Sequence, residues 1–238
     1  MASNRIPPIT TLMAVAALLG CRHRPAPVDG PGTELMPIEL RHVTALPEDA
    51  PFDMVLDDTV SGERFLRAPA LSVDPMAPWL PHLEARLRAT LEREQGVGLA
   101  APQIGLSRRV ILVQRQDKSD DPAQGPIELV LNPEILELGD DCVVGWEGCL
   151  SVPAGFGQVE RPASIVVAYD LLGGEQLEER VEGWTARIFQ HEIDHLDGVL
   201  FHDYVQGDLT PEAEYRALRA AEREQAAPPS EPDDTGAE

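Results

Sequence analysis

The chain has 238 residues, 43% hydrophobic, 25% charged and 5% aromatic, which is enough for one domain with a proper core plus extensions. Its net charge of −22 argues against binding nucleic acid through phosphate contacts, because a polyanion would be repelled. Three cysteines, Cys21, Cys142 and Cys149, do not make a disulfide scaffold.

Residues 1–21 carry one early arginine, an apolar run from Ile9 to Leu19 and then Gly20-Cys21. The run is too short to span a bilayer and suits the hydrophobic region of a signal peptide. Its L-L-G-C ending resembles a bacterial lipoprotein cleavage box, in which Cys21 would be lipidated and anchor the chain to a membrane. The alternative is an N-terminal extension that is never exported. Residues 22–60 form a tether and extension, rich in Pro and Gly over 22–35. The core domain is expected over 61–210.

Within it, WLPHLEARLRATLERE (79–94) has leucines at 80, 83, 87 and 91, the spacing of an amphipathic helix. Residues 108–114, 127–136 and 163–172 are rich in β-branched residues and predict strands. Gly173-Gly174 marks a hairpin turn, with 175–183 returning as the partner strand. A helix follows over 182–197, and Gly198 stops it. Residues 211–225 predict a C-terminal helix with Thr210 as its cap and Pro211 in its first turn. Residues 226–238 read as a disordered acidic tail. The order of elements predicts an α+β fold, with mixed or antiparallel strands packed around a buried, metal-binding helix.

That helix carries H-E-x-x-H at 191–195. At 100° per residue, His191 and His195 share a face with Trp184 and Ile188, while Phe189, Ile193 and Leu196 lie opposite. Two imidazoles four residues apart reach one metal ion. Glu192 falls a quarter-turn round, beside the ion, where it suits a base acting on water.

A catalytic ion needs a third ligand. His202 stands one residue late for the metzincin pattern H-E-x-x-H-x-x-G-x-x-H, because Phe201 holds that slot, and all five methionines lie upstream of the helix. Glu212 and Glu214 sit in a polar terminal helix with nothing to mark them. Cys149, in WEGCLSVP, offers a thiolate suited to soft and borderline metals. A small buried apolar residue is the competing reading for it, and the expected one for Cys142 in DDCVVG.

Three motifs in order, GVGLAAPQIG (96–105), EGCLS (147–151) and QHEIDHLDG (190–198), resemble the signatures of bacterial peptide deformylases, and the resemblance extends from about Phe65 to Tyr204. It implies removal of the formyl group from the N-terminal formyl-methionine of newly made proteins. It implies Cys149, His191 and His195 as ligands of one divalent ion, ferrous iron ahead of zinc, nickel or cobalt. Glu192 becomes the acid–base, with the Gln103 side chain and the backbone N–H of Leu150 as oxyanion donors. Val97, Trp184 and Ile188 match the lining of the methionine pocket, and Gly98 matches the position that pairs with an extended peptide. Trp184 is bulkier than the leucine expected there, so the pocket should be narrowed or reshaped. Phe156 stands where the family commonly has a substrate-contacting arginine, so a polar contact should be lost.

A monomer is expected. Formylated chains place the enzyme in the cytoplasm, whereas the N-terminal segment implies export. Two further readings follow: a deformylase-like amide hydrolase acting on another N-acyl substrate, and an inactive, membrane-tethered homologue that binds peptides.

Overall fold

The run Val110–Gln114 has no polar face, so it fits only where a sheet is covered on both sides. In the computed structural model, which describes residues 33–121 and 125–226, it is strand β2 of a five-stranded antiparallel sheet. The other strands are β1 (Gly98–Ala100), β3 (Ile127–Leu138), β6 (Ser164–Asp170) and β7 (Gln176–Glu182), in the order β1-β2-β3-β6-β7. Val110 and Leu112 of β2 join Leu129 and Leu131 of β3 beneath helix α3 (Leu80–Glu94), which buries Leu80, Leu83, Leu87 and Leu91. Ile111, Val113 and Val130 point the other way and meet Ile165, Val167 and Tyr169 beneath helix α4 (Gly183–Leu196). The period-2 alternation of the strands thus feeds two cores, one on each face. Each leucine fully buried there contributes about 1.5–3 kcal/mol.

These are the elements that periodicity predicts. β2, β3, β6 and β7 lie within two residues of their expected ends, and Gly173 and Gly174 turn β6 into β7 with φ of 100° and 88°. Gly198 follows α4 with φ 74°, as its stop position requires. Three strands were not foreseen, the short edge strand β1 and two more. β4 (Cys142–Cys149) and β5 (Val152–Pro162) form a separate antiparallel hairpin laid against α4. Its outer end corrects one expectation: Cys142 is exposed, with Val143 and Val144 beside it, because this end of the two-stranded sheet is not covered by a core.

Two short helices precede α3: α1 (Pro37–Thr44) and α2 (Val60–Leu66). Val43 and Phe52 enter the α3 core. The buried Arg86 of α3 holds this segment by donating to the carbonyls of His42, Val43 and Ala50 at 2.8 Å. The C-terminal helix, α5 (Glu212–Ala226), closes the described chain. Cys21, the signal-type segment and the acidic tail from residue 227 lie outside the described residues. Among the described residues, no helix is long and apolar enough to cross a membrane.

Candidate active site

Helix α4 presents His191 and His195 on the face turned toward the β4–β5 hairpin. β4 ends at Cys149, and the ligand atoms of Cys149, His191 and His195 lie within 4.8 Å of one another. Cys149 Sγ is 3.1 Å from His195 Nε2. A thiol and two imidazoles converging at this distance, far apart in sequence, form a set that could hold a soft or borderline ion. His202 is not part of it; its Nε2 lies 3.3 Å from Asp57 Oδ2 instead.

The state of each ligand follows from its neighbours. Burial alone would raise the Glu147 carboxyl, but hydrogen bonds from Arg161 and His191 hold it well below the usual carboxylate range. Its Oε2 lies 3.0 Å from His191 Nδ1, so that nitrogen carries the proton and Nε2 keeps its lone pair for an ion. Burial would lower the pKa of His191, yet its hydrogen bonds to Cys149 and Glu147 raise it well above the ordinary value. Burial drives His195 well below the ordinary value, which is the neutral form a ligand needs.

Glu192 is buried, and its Oε2 has no protein partner. Burial pushes its carboxyl up to about 7, with the Glu147 and Asp194 charges adding and His191 opposing. A side chain at Gly98 of β1 would overlap this carboxylate, so glycine there admits the base to the site. Gln103 stands on the 3-10 turn Ala101–Ile104 that follows β1. Its Oε1 accepts from the Ala100 N–H at 2.8 Å, which turns the amide so that Nε2 points at Cys149 Sγ, 3.4 Å away.

Val97, Gly98, Leu150, Trp184 and Ile188 line one cavity of about 430 Å³ together with Gln103, Cys149, His191 and Glu192. Every site residue expected from sequence is therefore brought to one place. Trp184 stands at its mouth, 44% exposed, while Ile188 is buried.

A model of the family described as polypeptide deformylase matches residues 59–209, more than half of the chain. The chain belongs to the polypeptide deformylase family. It is 50% identical over 138 residues to a peptide deformylase of Desulforudis audaxviator, spanning 58% of this chain and 85% of that one. The crystal structure of the Thermotoga maritima peptide deformylase is similar at 38% identity and a TM-score of 0.58, over 66% of this chain and 99% of that one. A class I type b peptide deformylase from Acinetobacter baumannii, bound to Met-Ala-Ser, matches at 36% identity and a TM-score of 0.57, over the same shares. The deformylase fold is thus the α+β arrangement described above, and the chain is a metal-dependent hydrolase of a linear amide.

Sequence reasoning missed the residues that hold this deformylase site in place. Glu147 receives Arg161 at 2.9 and 2.8 Å and Arg187 at 2.7 Å, and Arg161 reaches on to Asp194 of α4 at 2.5 Å. Glu147 was within reach of the sequence. It opens the EGCLS motif, two residues before Cys149.

Proposed function

We propose that this deformylase removes the N-terminal formyl group from formyl-methionyl peptides of newly made proteins, with Cys149, His191 and His195 holding one divalent ion and Glu192 as acid–base. The observation that carries the reading is a single cavity in which three converging ligand atoms meet an unpartnered buried carboxyl and an aimed amide. Ferrous iron is the ion assigned, from the family resemblance; the ligand types also accept zinc, nickel or cobalt. Such an ion supplies a Lewis acid and lowers the pKa of a water beside the scissile amide.

The protein groups do the rest. The Glu192 carboxyl is raised by burial, which suits it to exchange a proton. It takes one from the attacking water and returns it to the leaving amine. Charge developing on the formyl oxygen meets the Gln103 Nε2–H and the backbone N–H of Leu150. β1 is the edge strand of its sheet, so an extended peptide pairs with the backbone at Gly98. The first side chain then enters between Val97, Ile188 and Trp184. The relative bound to Met-Ala-Ser supports a peptide ligand for this cleft.

The test is formate release from formyl-Met-Ala-Ser by the iron-loaded protein. Glu192→Ala should abolish turnover while the bound metal remains one per chain. Retained turnover would overturn the role given to Glu192, and loss of the metal would show it to be a ligand.

A further inference from the structure

One wall of the catalytic cavity comes from beyond the family-matched region. Glu212, Tyr215 and Arg216 of α5 line the same cavity as Gly98 and Glu192, although the match ends at residue 209. The chain entering α5 is tied down on β5. Phe156 and Thr210 exchange both backbone hydrogen bonds, at 2.8 and 2.7 Å. Gly155 makes this approach possible: its φ is 138°, and a side chain there would overlap the Thr210 carbonyl. Tyr215 then stacks on Phe156, with centroids 4.0 Å apart and planes 10° from parallel, and meets the edge of Trp146 at 5.3 Å. All three rings are half-buried and line the cavity.

We infer that α5 completes the substrate cleft and that Tyr215, fixed between Phe156 and Trp146, determines selectivity for the residue following formyl-methionine. The inference rests on the deformylase reading. An extended peptide along β1 turns its first side chain toward Ile188 and Trp184, and alternation sends the second to the opposite side. The aromatic wall, in the same cavity, offers that second side chain a rigid apolar surface. Glu212 and Arg216 neutralise one another at its rim, 2.5 Å apart, so the wall selects for apolar bulk rather than for charge. Phe156, which takes the place of a polar contact common in the family, is the base on which this wall is built.

The experiment compares kcat/KM of the iron-loaded full chain on formyl-Met-Leu-Ser and formyl-Met-Ala-Ser. The wild type should prefer leucine. Tyr215→Ala should cut the leucine-to-alanine ratio by about 2- to 10-fold, the worth of one aromatic contact, and Tyr215→Phe should restore it. Leu218→Ala, on α5 outside the cavity lining, should leave the ratio alone. An unchanged ratio in Tyr215→Ala overturns the inference while leaving deformylation intact, as does an equal change in Leu218→Ala. Absence of turnover on either peptide by the wild type sinks the deformylase reading and this inference with it.

Discussion

Glu147 is bonded on three sides, by Arg161, Arg187 and His191, and only the last of these contacts bears on the metal. Removing its charge while keeping its shape, by Glu147→Gln, weakens the hold on the His191 Nδ1 proton. Ion affinity, measured by competition with a chelator, should fall about 10- to 100-fold; an unchanged affinity would refute this positioning role. Glu192 makes a different prediction, because its folded-state pKa is raised from an ordinary 4.5 to about 7. Between those values the folded chain holds a proton that the unfolded chain releases. Metal-free protein therefore gains stability as pH falls through that window and bears the full cost of the buried charge above it. Glu192→Gln should stabilise the metal-free protein by roughly 3 kcal/mol at pH 8 and by almost nothing near pH 4. Equal shifts in melting temperature at both pH values would contradict this. Trp184, half-exposed at the mouth of the cavity, should restrict the first side chain. Replacing it with leucine should raise kcat/KM for bulkier first residues relative to methionine, and unchanged selectivity would dismiss the narrowed pocket. The ligands, base and oxyanion donor were legible because each lies in a contiguous motif. Tyr215 was not, because its partners Phe156 and Trp146 lie 59 and 69 residues away; Glu147 was visible in the EGCLS motif, but its role depends on partners 14 to 44 residues on.

At the scale of elements, legibility followed the source of stability. β2, β3 and α3 are held by apolar faces, and their periodicity is written in Val110–Gln114 and in the leucines at 80, 83, 87 and 91. α1 has only one buried residue, Val43, and is held by Arg86, which donates to backbone carbonyls across some forty positions. No local pattern records such a contact. β4 is similar: its outer valines are exposed, and its inner end is fixed by charge rather than by an apolar face. Arg161 is the fastener, joining β5 to Glu147 of β4 at 2.8 Å and to Asp194 of α4 at 2.5 Å, with all three side chains buried. Arg161→Met keeps much of the volume but removes the cation shared by two buried carboxylates, leaving Glu147 with Arg187 and His191 and Asp194 without its charged partner on β5. It should cost about 3–5 kcal/mol in urea unfolding. A loss under about 1 kcal/mol, the worth of an exposed pair, would show that the hairpin is held some other way.

The whole molecule carries a charge of −22, and much of its cationic charge is turned inward. Arg86, Arg108, Arg109, Arg115, Arg161 and Arg187 are all buried, and all but Arg86 form ion pairs with carboxylates. What faces solvent is therefore strongly acidic. The rim of the cavity is locally balanced, since Glu94 pairs with Arg93 and Glu212 with Arg216. The field felt by an approaching peptide must then come from the wider surface, and a field of that range is screened by salt. At an ionic strength of 0.01 M the Debye length is about 30 Å, and at 1 M it is about 3 Å. A formylated peptide with two aspartates near its C-terminus should thus react more slowly at low salt than the same peptide with two lysines, by about 10-fold in kcat/KM. The difference should lie in KM or in the association rate, because the charges stay far from the reacting amide. Raising the salt should bring the two peptides together. A ratio independent of ionic strength would place the discrimination in direct contacts at the rim and overturn the long-range account.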